Sequence, residues 1–502
     1  MYRPSDSQKP LFDAGGLLPP EKRDRCEKSW AGPFRRQALP ILRRVEDEFA
    51  DLYHPEEGRP NRPVALVMGT LILKEMSDLT DEEALAALEF DARWWWAFER
   101  ELHELHLCQK TLHNFRTKLV QREKTKVAFR RVTDELIAAL GVSVERQRLD
   151  STHILSNFAV LTRLGLFCET IRVFLRELKR VDAKAYEALP AGVLKRHGEE
   201  SRYADARRAD GPRRLGVVAR DVGRLVTPFE KDGRVTQTQE WKLLKRIFDE
   251  QCVVKEKPHD PGRDEDDHGD GATPVELKPA AEVSGDSLQT PHDADVTYSG
   301  HKGKGYAVQV AESCGNGEKP EMITHVEVTR ACDSDAKATV PVVESLEAAG
   351  QKPKELTADT GFSSGQNAAT LSGYGVRLVA PAPAPAKPKA GQVYPPPAAS
   401  CPTDPAKGTE WLRCQEASPE FQKRYAVRAG SEATNSELKR PHGMGKVRVR
   451  GEARVKLVVY FKALACNVKR ALRYWLDDTL SAEGASPPTP ACGGLRRASA
   501  LA

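Results

Sequence analysis

The stretch Val142-Ser143-Val144-Glu145-Arg146-Gln147-Arg148-Leu149-Asp150 decides the fold class, because the hydrophobic period changes there. It alternates, and it reads as a strand ending on a carboxylate. Upstream, from about Ala31 to Gly141, apolar residues recur at helical spacing. Pro63-Val-Ala-Leu-Val-Met-Gly-Thr-Leu-Ile-Leu-Lys74 would bury one helix face. Thr80 with Glu83 three residues on forms a capping box that opens the next helix, and a third begins near Lys110-Thr-Leu-His-Asn-Phe-Arg116. Short helices with interleaved basic residues suit a helix-turn-helix DNA reader and equally an ordinary helical bundle.

Downstream of Asp150 the chain is mixed. Residues 160 to 252 return to helical spacing, as in Leu166–Lys179 and Gln239–Phe248. Pro258–Leu288 is rich in Asp, Gly and Pro, carries Asp264-Glu265-Asp266-Asp267, and reads as a solvated linker. Strands are expected at Tyr306–Ala311, Ile323–Thr329, Glu355–Asp359 and Val376–Ala380, with a helix over Ala336–Ala349. A Pro/Ala spacer, Pro381–Pro397, precedes a last helical part reaching about Trp475. The expected fold class is α/β: a mixed-sheet core with a helical insertion, preceded by an all-α domain.

With 502 residues, more than one domain is expected. The net charge of +5 is uninformative until its distribution is known. Met1–Pro20 does not read as a secretory signal, and no run approaches the roughly 18 apolar residues of a membrane span. The ten cysteines form no Cys-x-x-Cys pair and read as reduced thiols. A soluble chain of the cytoplasm is the expectation.

Three acids stand apart. Asp150 lies in Arg148-Leu-Asp-Ser-Thr-His153, and Asp359 in Leu356-Thr-Ala-Asp-Thr-Gly-Phe362, where Gly361 permits an abrupt turn. Glu432 lies in Tyr425-Ala-Val-Arg-Ala-Gly-Ser-Glu-Ala-Thr-Asn-Ser-Glu-Leu-Lys439. Two strand-end aspartates side by side, with a helical glutamate opposite, can hold two hard cations through oxygen. Metals roughly 4 Å apart can activate water or a 3′-hydroxyl and steady the leaving oxygen of a phosphoryl displacement. At about 100° per residue, a continuous helix would put Tyr425, Arg428, Glu432 and Lys439 on one face. Alternatively, Gly430-Ser431 begins the helix, and Tyr425 and Arg428 belong to the incoming segment. Glu437, five residues beyond Glu432, would face away from the same metals. From Lys439 to Arg470 ten Lys/Arg residues (439, 440, 446, 448, 450, 454, 456, 462, 469, 470) meet one acid, Glu452, a strip suited to neutralising phosphates.

These motifs resemble the DDE transposases of bacterial insertion sequences, which have an RNase H-like catalytic core. The resemblance rests on Leu149-Asp-Ser-Thr152, Ala358-Asp-Thr-Gly-Phe362 and the Tyr-x2-Arg-x3-Glu-x6-Lys spacing of Tyr425, Arg428, Glu432 and Lys439. His301-Lys-Gly-Lys-Gly-Tyr306, Leu438-Lys-Arg-Pro-His-Gly443 and Leu464-Ala-Cys-Asn-Val468 reinforce it. Gly58-Arg-Pro60, Leu79-Thr-Asp-Glu-Glu-Ala84 and Thr111-Leu-His-Asn-Phe-Arg116 are similar to the helical domain preceding that core.

The resemblance implies a metal-dependent endonuclease and DNA strand transferase. Asp150, Asp359 and Glu432 would be its catalytic metal ligands, with Mg²⁺ as cofactor and Mn²⁺ as a substitute. Tyr425, Arg428, Lys439, Arg440, Lys446, Arg448 and Arg450 would contact DNA. The implied partners are double-stranded DNA (terminal inverted repeats and target) and a second copy of the chain in the DNA complex, at the nucleoid and without a membrane. The implied organisation is a helical DNA-binding domain over 1–141 and an RNase H-like core over 142–475. That core would carry a helical insertion at about 163–256, an acidic disordered linker at about 257–290 and the spacer at about 381–400. A flexible tail would occupy 476–502. Two other readings stay open: a DNA-binding relic or domesticated transposase without catalysis, and an RNase H-like nuclease without end specificity.

Other signals carry less. His103-Glu-Leu-His106 with Cys108 reads as helix surface, and Trp94-Trp-Trp96 as helix–helix packing. Gly300-His-Lys-Gly-Lys-Gly305 lacks the spacing and the Ser/Thr of a P-loop. Ser151, Thr152 and His153 lack a nucleophile elbow and read as support for Asp150. Cys401 and Cys414 are too sparse for the denser cysteine cluster of relatives, and no zinc is expected there.

Overall fold

The computed structural model describes residues 1–4, 13–199, 201–205, 210–254, 275–384 and 394–482. Within them the alternation after Gly141 becomes strand β1, Arg146–Ile154, which runs past Asp150 instead of stopping there. Thr152 and Ile154 continue the alternation, and they pair antiparallel with Gly303–Ser313, strand β3. What does stop at Asp150 is the ladder on the other side. There β1 lies parallel to β5, Glu355–Ala358, from Arg146↔Glu355 to Leu149↔Ala358.

The sheet is completed by β2 (Thr297–Ser299), β4 (Ile323–Arg330) and β6 (Arg377–Val379). Its order is β4-β3-β1-β5-β6, with β2 pairing the start of β3. An antiparallel meander of three strands thus continues into two parallel ones, the mixed sheet of an RNase H-like core. The parallel strands need crossovers, supplied by the helices Thr339–Ala348 and Gly365–Gly373. One sheet face packs Leu149, Leu356, Ala358 and Leu378 against these helices and Trp411.

A second hydrophobic cluster joins the N-terminal helices to the long helix near the C-terminal end of the described residues. Helix Val64–Met76, buried along almost its whole length, and helix Thr125–Leu140 pack on the long helix Glu452–Ala482, which also lies on β4. Thr80 and Glu83 make the expected capping box at the start of Asp81–Phe90. Trp94 is buried against Trp30 and Phe98, while Trp96 donates its indole N–H to Glu27 and carries Arg35 on its ring. The tryptophan run is packing. His103 and His106 are exposed and pair with Glu101 and Glu89.

Between β1 and β2 the insertion builds a separate apolar cluster, with Phe167, Ile171 and Phe174 of Arg163–Val181 against Val222 and Leu244. It closes with the antiparallel ribbon Cys252–Val254 and Val275–Leu277. Asp264–Asp267 lie outside the described residues. The expected linker is nonetheless shorter than its composition suggests, because Leu288 is buried in this cluster and its N–H is taken by Glu250. The last helix continues through Ala482, beyond the stop expected near Trp475, and 483–502 lie outside the described residues. Of the spacer, 385–393 are likewise outside. Its flanks are tied to helix Pro405–Glu416, where Ala382 N–H donates to Glu416 and the Trp411 indole to the carbonyl of Ala398. No helix among the described residues is long and apolar enough to cross a membrane.

Candidate active site

The parallel register fixes two of the three acids. Leu149 lies opposite Ala358, so the next residues, Asp150 and Asp359, leave the ladder side by side. Asp150 is 8% exposed, and its carboxylate is held at both oxygens: Ser151 N–H donates to Oδ1 at 3.0 Å and Asn435 Nδ2 to Oδ2 at 3.0 Å. Asp359 caps the turn Thr360–Phe362 and accepts the N–H of Gly361 at 2.8 Å.

The third acid arrives on helix Ala429–Lys439. Helix Pro419–Tyr425 precedes it, and the tighter turn Ala426–Arg428 joins the two with right-handed helical dihedrals throughout. The structure therefore takes elements of both alternatives. The hydrogen-bonded helix begins at Ala429, yet the chain keeps coiling, and Arg428 still reaches Glu432 one turn on. Arg428 joins all three acids. Its Nη2 lies 3.4 Å from Asp359 Oδ2 and 3.7 Å from Asp150 Oδ1, and its Nη1 lies 3.7 Å from Glu432 Oε1. Glu432 is 78% exposed, so it faces open solvent across the two strand-end aspartates.

Burial raises the Asp150 carboxyl above the usual aspartate range, against the pull of Arg428 and Lys302. Lys439, at the end of the helix, is lowered by burial and by Lys302, while Asp150 raises it. Tyr425 stacks on Phe421 at 5.1 Å, and burial raises its phenol.

A polar anchor sets the angle of this helix. Arg148, two residues before Asp150 on the same strand face, is 4% exposed. Its Nε donates to Glu312 at 2.8 Å, its Nη1 to the carbonyl of Val427 at 2.9 Å, and it also pairs with Glu321. The other Glu312 oxygen accepts from Thr434 at 2.7 Å and from Arg470 at 3.2 Å. Arg470 in turn pairs with Glu437 at 2.9 Å. Glu437 thus serves the anchoring face, as its offset from Glu432 requires. With His442 and Cys466 it brings ligand atoms within 4.8 Å of one another. Arg470 already holds that carboxylate.

The basic strip divides. Arg440, Lys446 and Arg450 are exposed, and Arg450 donates to the carbonyl of Asn157. Arg448, also exposed, is tethered to Asp78 at 3.1 Å. Two of the strip's ten cations turn inward instead, Lys462 to Glu75 at 2.7 Å and Arg470 as described, while Lys456 stays partly exposed and pairs with Glu452 and Glu327. The 31-residue helix that carries these three buries one face, so sequence clustering overstates the exposed charge. Asn435 and Arg148 escaped the sequence reading. Asn435 was findable, since it sits three residues beyond Glu432 and so on nearly the same helix face.

Two family models match the chain. Residues 34–118, within the N-terminal helices, match a transposase domain (DUF772). Residues 401–472, which carry Tyr425, Arg428, Glu432, Lys439 and most of the long helix, match a transposase DDE domain. No curated protein and no solved structure matches the chain. The two matches fall in the expected order on an RNase H-like fold, and they support an insertion-sequence DDE transposase.

Proposed function

We propose that this transposase cleaves DNA at the ends of its element and joins the freed 3′-hydroxyl to target DNA, with Asp150, Asp359 and Glu432 as its catalytic acids. The observation that carries the reading is Arg428, whose guanidinium stands within 3.7 Å of all three carboxylates. Three acids from distant parts of the sequence share one cation at the rim of the sheet.

The donor set fits a hard divalent cation: carboxylate oxygens only, two fixed by backbone and amide donors and one free to approach. Asp150, Asp359 and Glu432 would hold Mg²⁺, with Mn²⁺ as a substitute. Bound there, metal supplies Lewis-acid activation and neutralises charge at the leaving oxygen. In the transfer, an oxygen–phosphorus bond forms from water or a 3′-hydroxyl as the phosphorus–O3′ bond breaks.

The chain's own groups do the positioning. Asn435 and the Ser151 amide orient Asp150, and Gly361 orients Asp359. Arg428 balances the clustered negative charge, and with Lys439 and Tyr425 it presents donors to phosphate oxygens. Arg440, Lys446, Arg448 and Arg450 would follow the DNA backbone, and the helices of 1–141 would read the ends. A dimer would bring two ends together.

The test is nicking of labelled duplex carrying the element's flanking repeats, by wild type and Glu432→Ala, with and without Mg²⁺. Metal-dependent cuts at the repeat ends that vanish in the variant support the proposal. Binding without cuts in the wild type would leave a DNA-binding relic, and equal cutting of unrelated duplex a nuclease without end specificity.

A further inference from the structure

We infer that Lys302 is a phosphate-binding residue of this site, gripping a DNA phosphodiester beside the reacting one, with Ser151 and Asp335 as its positioning residues. The inference rests on the proposed active site. Lys302 belongs to the turn between β2 and β3, where Gly303 adopts φ +85° and lets the chain reverse tightly. A side chain added at Gly300 or Gly303 would meet nothing within 4 Å, so the tip of the turn is open.

From that tip the Lys302 ammonium reaches back over β1. It donates to Ser151 Oγ at 2.9 Å, and Ser151 donates to Asp335 Oδ2 at 2.8 Å. The other Asp335 oxygen accepts from Gln309 Nε2 at 3.2 Å. The nearest carboxylate oxygen to Lys302 in an ion pair is that of Asp335, at 3.7 Å, and the Lys302 side chain is 40% exposed. An ammonium has three donors. One is used on Ser151, and the side chain keeps enough exposure for the others to meet a ligand.

Placement gives this charge its meaning. Ser151 directly follows Asp150 in the strand, so the ammonium is fixed one residue from the buried acid. Lys302 lies close enough to lower Asp150, His153 and Lys439 electrostatically. Lys302 and Lys439 repel each other near Asp150, a cost that a bound phosphate would relieve. Asp335 and Asp359 both approach Gly361, so the same carboxylate that holds Lys302 also borders the acid pair. The basic turn found in the sequence is too irregular for a nucleotide-binding loop, yet it is well placed to cover a DNA strand entering the site.

The experiment is equilibrium binding of the full-length protein to the labelled repeat-end duplex, without divalent metal, over a series of NaCl concentrations. A lysine that neutralises one phosphate contributes about 0.9 to the slope of log K against log salt. Lys302→Ala and the nearly isosteric Lys302→Gln should both lower the slope by about that amount, and Lys302→Arg should restore it. Ser151→Ala keeps the ammonium but loses the group that places it, so it should weaken binding at every salt concentration while changing the slope less than Lys302→Ala does. A lysine that only braced Ser151 and Asp335 would shift thermal stability without moving the slope. An unchanged slope in the Ala and Gln variants, or no binding by wild type, overturns the inference. Nicking by Glu432→Ala is scored separately. Loss of cutting there with an unchanged Lys302 slope would defeat this inference alone, and persistent cutting there would defeat the acid assignment.

Discussion

A Cβ placed on Gly430 would stand inside the guanidinium of Arg148. The first turn of the Glu432 helix therefore rests directly on a side chain of the strand that carries Asp150. Arg148 is bound by Glu312, Glu321 and the Val427 carbonyl, so it cannot step aside without releasing them. Gly430→Ala should cost about 1–3 kcal/mol in urea unfolding. It should reduce nicking far more than DNA binding, because the helix must lift from the sheet. Wild-type nicking by this variant would show that the helix angle is not set here.

Asn435 offers Asp150 a hydrogen bond to a charged acceptor, of a kind worth about 1.5–3 kcal/mol. If that bond is needed in the transition state, Asn435→Ala should slow single-turnover nicking roughly ten- to hundredfold at saturating protein, with end-DNA affinity unchanged. An unaltered rate would mean that the Ser151 amide alone suffices.

Glu312, 1% exposed, answers two cations, Arg148 and Arg470, and also accepts from Thr434. Glu312→Gln keeps the shape and leaves both guanidinium groups short of charge. Breaking a buried pair in this way costs about 3–5 kcal/mol. A matching fall in unfolding free energy by urea titration is expected, and a neutral result would show that Glu321 and Glu437 can carry both cations.

Burial holds the imidazole of His325 down to about 3, helped by Lys126 and Arg130, and that of His442 down to about 4. Both folded values lie below the unfolded value of about 6.5. As pH falls below that value, the unfolded chain binds protons that the folded chain refuses. Stability is therefore complete above about pH 6.5 and declines by roughly 1.4 kcal/mol per pH unit for each histidine until its folded value is reached. Urea midpoints between about pH 7.5 and 5 would record the decline, and His325→Gln should roughly halve it.

Chemistry was more legible than placement. A carboxylate beside a turn glycine marks Asp359 in the sequence alone, and the spacing of Tyr425, Arg428, Glu432 and Lys439 survives a change from α to tighter coiling because both keep the same hand. The end of β1 was misplaced, because alternation reports which residues face which side, not where a neighbouring strand stops. Leu149 is the last step of a ladder to β5, with Asp150 just beyond it, and β5 lies some 200 residues away in sequence. Lys462 and Arg470 read as part of a basic surface because their partners, Glu75 and Glu312, come from remote segments. The part of the expected linker near Leu288 read as solvated because a lone leucine among polar residues gives no periodicity.

The long helix Glu452–Ala482 closes a cluster begun by Val64–Met76 and Thr125–Leu140. During synthesis, the earlier helices of that cluster leave the ribosome well before the long helix that covers their apolar face. The nascent chain thus holds this seam open until Glu452–Ala482 emerges, with the wait and exposure typical of contacts between distant segments. A chain released before that helix would keep the seam open and be a target for chaperones and proteases.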